Sequence, residues 1–390
     1  MLALAGLLAA CSIDDSGPVR SVWRPEDAKP TYLDVAYLTD REPDANAPGG
    51  FGKSWGDKAS CGTAEAVIPP AAVPGEKPQY GYIAKTWPRA CATDKGSVGG
   101  VMDAIEAQAK ARHCNSVFLF IHGFHTGFDG AVLRAAQVSH DALTGCATIA
   151  FSWSSEVKLE RYLPDLEHSE YSLPFLSELL RELAASNLRV TILAHSTGDR
   201  LILAELSAFA HSRFPVRNGF IDELVLAAAD VGNDKGNDDF AHLLADAAPY
   251  VRRTTIYASR MDGILLVSKY EHGGVGRAGH DPEADLAYRA DDKTHIVDVI
   301  DASEARADKL DHSYFAMSPD AIADMGQALG GVPTADRMRS ADGGKPTLIC
   351  EDVKDCGGDP HYALAVASDR QPRLISRILL DLIPLIQLVP

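Results

Sequence analysis

The segment of clearest chemical character is Leu193–Asp199, which reads Leu-Ala-His-Ser-Thr-Gly-Asp. It is the nucleophile-elbow pattern G-x-S-x-G with alanine in the first position, and it stands between an apolar run and a segment of helical spacing. The turn of such an elbow is so tight that only small residues fit two places before and two places after the serine. Ala194 and Gly198 meet that demand. The pattern therefore predicts that Ser196 is a nucleophile held at the end of a strand.

A base is needed to activate Ser196, because a serine hydroxyl is a weak nucleophile until an oriented base accepts its proton. In hydrolases with this elbow, the chain order is serine, then aspartate or glutamate, then histidine. The candidates are the five histidines that follow the seventh apolar run of the chain, namely His272, His280, His295, His312 and His361. His312 is the predicted base, because it lies in the loop after the last clear strand-like run. His295 begins that run, and His272 and His280 are expected in surface loops.

Two aspartates are candidates for the acid that orients the base, and each follows an apolar run. Asp230 comes after the sixth such run of the chain and Asp262 after the seventh. The loop after the seventh strand usually supplies the acid in this arrangement, which favours Asp262. Asp230 stays a rival, since some hydrolases place the acid one strand earlier. The alternative interpretation of Asp230 is a helix cap or a turn residue.

An oxyanion hole requires two backbone N–H groups that point at one position. The first is predicted at Thr197, directly after the nucleophile, where a helix begins. The second is predicted at Phe124, in the loop after the third apolar run, where Gly123 allows close approach of the backbone. His122 and His125 in this loop are of a type that binds metals, but the favoured interpretation is that they shape the hole and its entrance. No metal and no cofactor are predicted.

The elements that must position these residues alternate along the chain. Eight runs are predicted as strands, namely Leu33–Leu38, Thr63–Ile68, Val117–Ile121, Ala147–Phe151, Val190–Leu193, Leu224–Ala228, Thr254–Ala258 and Ile296–Ile300. Helices are predicted over Gly99–Lys110, Ala131–Leu143, Ser169–Ala185, Leu201–Phe209 and Phe240–Ala247. Ser169 is the expected cap of the third helix. Continuous apolar strands that alternate with helices predict a mostly parallel eight-stranded sheet covered on both faces.

The two ends of the chain differ from its centre in composition. Residues 1–11 are predicted to be a lipoprotein signal peptide, because they are apolar and end in small residues before Cys11. That end resembles a bacterial lipobox, in which the cysteine is lipidated, and the absence of a retention aspartate at Ser12 predicts an outer-membrane position facing the periplasm. A buried N-terminal helix is the alternative.

Four segments follow from these features. They are the signal peptide over 1–11, a tether over 12–30, an α/β domain over 31–330 and a C-terminal extension over 331–390 packed on the same domain. Within the extension, residues 331–360 are expected to form a loop. Leu374–Val389 is expected to be a packed terminal helix, because it is too short to span a membrane.

The cysteines are even in number once Cys11 is set aside. The other six are Cys61, Cys91, Cys114, Cys146, Cys350 and Cys356. An even number in an exported chain is typical of disulfides. Cys114 and Cys146 each precede a predicted strand, so they can meet if those strands are parallel neighbours, which leaves Cys61 with Cys91. Cys350 and Cys356 can close a short loop. Free buried thiols are the alternative, and no pair has zinc-site spacing.

The formal net charge of the chain is −17. A nucleic-acid partner requires a basic face to meet the phosphate backbone, and this chain has no surplus of basic residues. The charge therefore argues against nucleic-acid binding. It says little about which small molecule the chain binds.

Motifs along the chain resemble a family of bacterial α/β hydrolases known as a domain of unknown function. The resemblance covers Leu33 to Phe315 and is carried by Val35–Arg41, Phe51-Gly52, Thr63–Pro69, Phe120–Phe124, Phe151–Ser154, Glu170–Ser172, Ala194–Arg200, Tyr257–Asp262, Val299–Ser303 and His312–Phe315. It implies the α/β-hydrolase fold and a triad of Ser196, Asp262 and His312. The chain departs from the family where Thr197 replaces a methionine and Asp199 a frequent asparagine. The resemblance implies hydrolysis without a settled substrate.

The predicted reaction is cleavage of a carboxylic ester, on a small molecule or a lipid, through an acyl-enzyme. Amide cleavage or acyl transfer would use the same residues and is an open alternative. A non-catalytic envelope protein that binds or assembles partners on a hydrolase scaffold is another. The intact elbow and its suitable partners weigh against that last alternative.

Overall fold

The computed structural model describes residues 29–68, 81–93, 97–142, 144, 146–156, 162–213, 215–233, 239–282, 290–291, 295–305, 310–338, 347–350 and 362–365. Cys11, Cys356, His361 and the predicted terminal helix lie outside these ranges. The predictions made for them concern residues that the structure does not describe.

A twelve-stranded sheet runs through the described part of the chain. Its strands are β1 Thr31–Pro43, β2 Phe51–Ile68, β3 Tyr82–Arg89, β4 Ser116–Ile121, β5 Ala147–Ser152, β6 Arg189–His195, β7 Ile221–Ala227, β8 Arg253–Ala258, β9 Ala290–Asp291, β10 Ile296–Asp301, β11 Leu348–Cys350 and β12 Tyr362–Leu364. Their order is β11-β12-β10-β8-β7-β6-β4-β5-β1-β2-β3, with β9 beside β10. From β12 across to β1, each neighbouring pair is parallel. The prediction of a mostly parallel sheet is therefore confirmed.

All eight predicted strands are present, but the number eight was too low, because the described sheet contains four more. Three of these, β9, β11 and β12, have two or three residues each and are too short to produce a recognisable pattern. The fourth, β3, lies at the edge of the sheet, has mostly exposed residues and contains Pro88. Proline and charged residues are common on edge strands, so β3 lacks the apolar run that predicts a buried strand.

Helices cover both faces of the sheet. They are α1 Gly99–Ala111, α2 Phe128–Asp141, α3 Tyr162–Tyr171, α4 Leu173–Ala185, α5 Thr197–Ala210, α6 Phe240–Ala247, α7 Gly263–Glu271, α8 Tyr314–Met317, α9 Pro319–Leu329 and α10 Thr334–Arg337. One apolar core includes α1, α4, α5 and α6, and a second core on the other face includes α2, α8 and α9. In β4, for example, Leu119 belongs to the first core and Phe118 and Phe120 to the second, as the alternation of a strand requires.

The single helix predicted over Ser169–Ala185 was wrong, because the structure has two helices there. Ser169 lies inside α3, where its Oγ donates a hydrogen bond to the carbonyl oxygen of Leu166 at 2.7 Å, so it caps nothing. The break falls at Ser172, two residues before Pro174. Proline has no N–H to donate, which suits it to the first turn of a helix and makes it a poor continuation of one.

Two disulfides tie the start of the sheet together and confirm the predicted pairing. Cys61 is bonded to Cys91 and Cys114 to Cys146, with Cα–Cα distances of 5.1 and 6.0 Å. The second pair forms because β4 and β5 are parallel neighbours, so the residues that precede them lie at the same end of the sheet. Among the described helices, none combines the length and the apolar character that crossing a bilayer would require.

Two described strands of the C-terminal extension join the sheet. β12 pairs in parallel with β10, and β11 pairs with β12. The loop predicted over 331–360 was wrong where α10 and β11 form. α10 is held by Arg337, which is fully buried and donates from Nη1 to Asp324 Oδ2 at 2.9 Å. A buried ion pair between residues thirteen apart leaves no pattern in the sequence.

Candidate active site

Ser196 stands in the turn between β6 and α5, with φ 55° and ψ −116°. A positive φ is uncommon for a residue with a side chain, and such strain persists only where the surroundings enforce it. Here the N–H of Ser196 donates to the carbonyl oxygen of Ala227 at 3.0 Å. A Cβ on Gly198 would lie 2.5 Å from the carbonyl oxygen of Ile121, so that position accepts only glycine. The strand–turn–helix setting predicted for the elbow is therefore present.

His312 and Asp262 form a buried pair at the same edge of the sheet. His312 Nδ1 is 2.8 Å from Asp262 Oδ2, and their side chains are 6% and 0% exposed. The other carboxylate oxygen, Oδ1, accepts the N–H groups of Ile264 and Leu265 at 3.0 and 2.9 Å, because Asp262 is the N-cap of α7. Since a carboxylate only accepts, this bond keeps the proton on Nδ1 of His312 and leaves Nε2 free of it in the neutral ring.

The ring of His195 connects the pair to the elbow. Its centroid is 4.6 Å from that of His312 and 4.3 Å from that of Phe315, on which it stacks. His195 directly precedes Ser196, so this packing brings His312 to the elbow from a distant part of the chain. Asp311, just before His312, has φ 52°, which gives the chain the turn it needs at this point. The prediction from sequence did not identify this role of His195, whose place in the elbow pattern accepts any residue.

Asp230 also lies at this edge, but its side chain has other partners. Oδ2 accepts the phenol hydroxyl of Tyr162 at 2.5 Å, and Oδ1 accepts Ser268 Oγ at 2.6 Å. Nε of Arg277 is 3.2 Å from Oδ1, and the side chain of Arg277 is only 5% exposed. The backbone N–H of Asp230 donates to the carbonyl oxygen of Ser196 at 3.3 Å. The structure therefore brings Asp262 to His312, and sets Asp230 in an ion pair beside the elbow.

The loop that follows β4 reaches the elbow through Gly123. A Cβ at this position would lie 2.9 Å from Ser196 Cβ and 3.0 Å from His195 Nδ1, so the close approach depends on glycine. Phe124 is the next residue. On the opposite side, Thr197 is the first residue of α5, whose leading N–H groups have no acceptor within the helix. Of the two residues predicted to donate to an oxyanion, Thr197 thus directly follows Ser196, and Phe124 follows the glycine that approaches it.

The buried side chain of Arg41 donates a hydrogen bond to the loop after β4. Arg41 was not assigned a role from the sequence. It is 1% exposed, and its guanidinium donates to the carbonyl oxygens of Thr126 at 2.7 Å and Ser155 at 3.2 Å, and to Ser152 Oγ at 3.0 Å. Burial lowers the pKa of Arg41 to about 10. An arginine inside an apolar strand was the available signal, because such a charge must be satisfied within the protein.

The two histidines of the loop have structural contacts. His122 is fully buried and stacks on Trp153 with a centroid distance of 5.1 Å, while Trp153 Nε1 donates to the carbonyl oxygen of His122 at 2.8 Å. His125 has φ 62°, and its N–H donates to Ser155 Oγ at 2.8 Å. These contacts shape the loop beside Gly123, which is the role that the sequence suggested for both residues.

His272 and His280 lie in loops, as predicted, but both are only partly exposed. The ring of His272 lies 5.7 Å from that of Tyr162. Burial lowers the pKa of His280, and the nearby charge of Asp262 opposes that effect. The reason is that the loop through Gly279 folds back over the end of β7, where a Cβ on Gly279 would lie 2.1 Å from the backbone nitrogen of Ala229.

His295 was expected to begin a strand, and it lies directly before the first residue of β10. It is buried, and its Nε2 lies 3.1 Å from Thr254 Oγ1. A second buried acid, Asp199, lies in the first turn of α5. Burial and the neighbouring charge of Asp230 raise its pKa well above the ordinary value, which favours the neutral form of this acid.

Three potential metal ligands lie together near the start of α3, namely Glu156, Asp165 and His168. Burial raises the pKa of Asp165 to about 7, although Ser155 and the N–H of Glu156 donate to it. These residues were not among those predicted from the sequence to bind anything, because they have no spacing typical of a metal motif.

Residues 101–329 match a family described as "Alpha/beta hydrolase of unknown function (DUF900)". The match covers more than half of the chain and includes the elbow, Asp262 and His312. The chain belongs to this family and is an α/β hydrolase in fold. The match does not extend over residues 33–100, where the sequence resemblance was also expected. None of the curated proteins matches the chain.

Several solved structures are similar in fold. Dienelactone hydrolase from Anabaena variabilis is 14% identical with a TM-score of 0.34, and the alignment covers 78% of this chain and 99% of that one. An esterase/lipase from an uncultured bacterium is 12% identical with a TM-score of 0.33, covering 80% and 87%. A thermostable esterase from Pseudomonas putida is 12% identical with a TM-score of 0.33, covering 84% and 86%. Similarity at this level does not specify the activity of this chain.

Proposed function

We propose that the chain is a serine hydrolase that cleaves a carboxylic ester through an acyl-enzyme. The observation that carries this proposal is the hydrogen bond between His312 and Asp262 beside the strained turn of Ser196. A base fixed by a buried acid, next to a serine at a helix N-terminus, is the arrangement that activates a hydroxyl for acyl transfer.

In the proposed first half-reaction, Nε2 of His312 accepts the proton of Ser196 Oγ while Oγ attacks the ester carbonyl carbon. Asp262 accepts the hydrogen bond from Nδ1 and stabilises the imidazolium that forms. The tetrahedral intermediate then collapses, the alkoxide leaving group takes the proton from Nε2, and the acyl group stays on Oγ. In the second half-reaction, His312 activates a water that releases the acid and restores the serine.

The charge that develops on the carbonyl oxygen is stabilised by the N–H groups of Thr197 and Phe124. The N-terminus of α5 adds the positive end of a helix dipole at the same position. Donors that are fixed before the reaction cost no reorganisation when charge appears, and loss of one donor of this type reduces kcat by roughly 10²–10³-fold. The contacts of Arg41 and Trp153 to the loop after β4 keep it fixed in this way.

A fluorophosphonate probe and a p-nitrophenyl ester series from short to long acyl chains test the proposal. The wild-type chain is expected to be labelled and to release p-nitrophenol, and Ser196→Ala is expected to do neither. Ser207→Ala serves as a matched control, because Ser207 lies on the same helix and its Oγ donates to Asp246. Equal labelling of wild type and Ser196→Ala would refute the role of Ser196. A wild-type chain inert to probe and esters, which nevertheless captures an envelope partner, would favour the binding-protein alternative.

We further propose that the enzyme is exported and anchored by a lipid on Cys11 in the outer membrane, facing the periplasm. Two described disulfides support this location, since disulfides persist in oxidising compartments such as the periplasm. Metabolic labelling with an alkyne fatty acid is expected to mark the wild-type chain and not Cys11→Ala. Recovery of both chains unlabelled in the cytosolic fraction would contradict the proposal.

A further inference from the structure

A group of three side chains lies beside the loop after β4, and the hydrolytic mechanism makes no use of it. Glu156 follows β5, whereas Asp165 and His168 lie one turn apart on α3. Each residue offers one ligand atom, and the three atoms lie within 4.8 Å of one another. Residues three apart on a helix share a face, so Asp165 and His168 point the same way.

Asp165 carries the strongest indication of a missing partner. Its side chain is 1% exposed, and Oδ2 accepts hydrogen bonds from Ser155 Oγ and from the N–H of Glu156, each at 2.8 Å. The other oxygen, Oδ1, is buried without a hydrogen bond. The nitrogen nearest to it in this group, His168 Nδ1, is 3.8 Å away, which is too long for a hydrogen bond.

The surroundings of Asp165 also disfavour its negative charge. Burial raises the pKa of Asp165, and the nearby carboxylate of Glu156 adds to this effect by repulsion. The guanidinium of Arg41 lowers this pKa, but its nitrogens already donate to other oxygen atoms, among them the carbonyl oxygens of Thr126 and Ser155. Removing a carboxylate from water is costly unless a cation or hydrogen bonds replace the lost hydration.

We propose that Glu156, Asp165 and His168 bind one divalent cation of the Zn²⁺ or Mn²⁺ type. Imidazole nitrogen together with carboxylate oxygen is a donor set that suits these ions. Zinc ligands lie about 2.0–2.2 Å from the metal, so two ligand atoms of a tetrahedral site are about 3.3 Å apart. The 3.8 Å between His168 Nδ1 and Asp165 Oδ1 is within a small side-chain movement of that spacing. This inference departs from the expectation of no metal drawn from the sequence.

The hydrogen bonds to Oδ2 give the site the support that metal ligands need. Carboxylates that bind metals are themselves oriented by hydrogen bonds, as Ser155 and the N–H of Glu156 orient Asp165 here. Ser155 also accepts the N–H of His125, so the bound cation is connected to the loop after β4 through two hydrogen bonds. The cation would stabilise this wall of the active site without taking part in ester cleavage.

Isothermal titration of the purified chain, without a histidine tag and after removal of metals by a chelator, tests this site. Zn²⁺ or Mn²⁺ is expected to bind with a stoichiometry of one per chain and to raise the Tm, because a ligand that binds only the folded state stabilises it. His168→Ala is expected to weaken this binding at least about tenfold. His168 is partly exposed on a helix, so its replacement by alanine spares the core.

His242→Ala is the matched control. His242 lies on α6 and is 3.7 Å from Asp246, nearly the spacing of the proposed pair, but its side chain is 54% exposed. This variant is expected to bind the cation as the wild type does. Glu156→Gln provides a second variant, and its affinity is expected to fall as well. Absence of stoichiometric binding by the wild type, or equal binding by wild type and His168→Ala, would overturn the proposal.

Discussion

The loops after β7 and β8 each place an aspartate at the carboxyl edge of the sheet, yet they use it in different ways. In the loop after β8, Asp262 caps a helix with one oxygen and holds His312 with the other. In the loop after β7, the side chain of Asp230 is paired with Arg277 and Tyr162, and its backbone N–H donates to the carbonyl oxygen of Ser196. The difference teaches that the position of an acid after a strand does not decide its role. Its role is decided by the side chains from other segments that contact its carboxylate.

This comparison predicts a separation of effects. Asp262 is expected to matter chiefly for catalysis, because its hydrogen bond sets the proton on His312. Asp230 is expected to matter chiefly for stability, because its removal leaves a buried guanidinium without its carboxylate. Variants in the two loops can therefore be compared by kcat and by the free energy of unfolding.

The largest effect is expected from Asp262→Asn, which should lower kcat by roughly 10⁴-fold. Asparagine keeps the shape, and its oxygen still caps α7. However, an amide N–H turned toward His312 would favour the tautomer with its proton on Nε2, which cannot accept the proton of Ser196. Ester turnover and chemical denaturation measured together check this prediction. If the fall in activity were explained by a lower free energy of unfolding, with much of the variant unfolded under the assay conditions, Asp262 would have a structural role instead.

Asp230→Asn should lower the free energy of unfolding by about 3–5 kcal/mol, since breaking a buried ion pair leaves an uncompensated charge. Its kcat is expected to stay within about tenfold of the wild-type value, because His312 keeps its partner. Urea denaturation gives the first quantity and p-nitrophenyl ester turnover the second. If this variant lost more activity than Asp262→Asn, the acid would have to be reassigned to Asp230.

The smallest effect is expected from Tyr162→Phe, which removes one hydrogen bond to Asp230. The loss is about 0.5–1.5 kcal/mol for an ordinary bond and somewhat more where the acceptor is charged. The ring remains, so its edge-to-face contact with Phe124 at 5.2 Å should survive and kcat should change little. A thermal melt and a kcat measurement test this outcome. A large fall in kcat with unchanged stability would show that the hydroxyl acts on the substrate.

The buried parallel strands and the elbow were predictable, because each depends on a short and local pattern. Val190–Leu193 and its parallel neighbours are apolar on both faces, and the elbow needs small residues at Ala194 and Gly198. The pairing of Cys114 with Cys146 could be reasoned from parallel neighbours. The edge strand β3 escaped detection since exposed edges carry polar residues, and Ser169 was misjudged because Pro174 starts a new helix.

Other features depend on contacts between distant segments. Arg41 fixes a loop more than eighty positions away, with Thr126 among its acceptors. His280 is partly buried because its loop folds over β7. The metal ligands proposed here come from two segments without a common spacing. Each of these features depends on contacts between segments that are far apart in the chain. No short stretch of sequence contains a pattern that predicts such contacts.

The sequence by itself determined the class of fold and the serine that stands at its edge, because periodicity and steric demand act within a few residues. Only the tertiary structure decided which acid meets His312. That choice depends on Arg277 and Tyr162, which come from separate segments of the chain and occupy the carboxylate of Asp230. Steric requirements that act between neighbouring residues can be predicted from the sequence. The pairing of buried charges cannot, because it depends on which distant segments pack together.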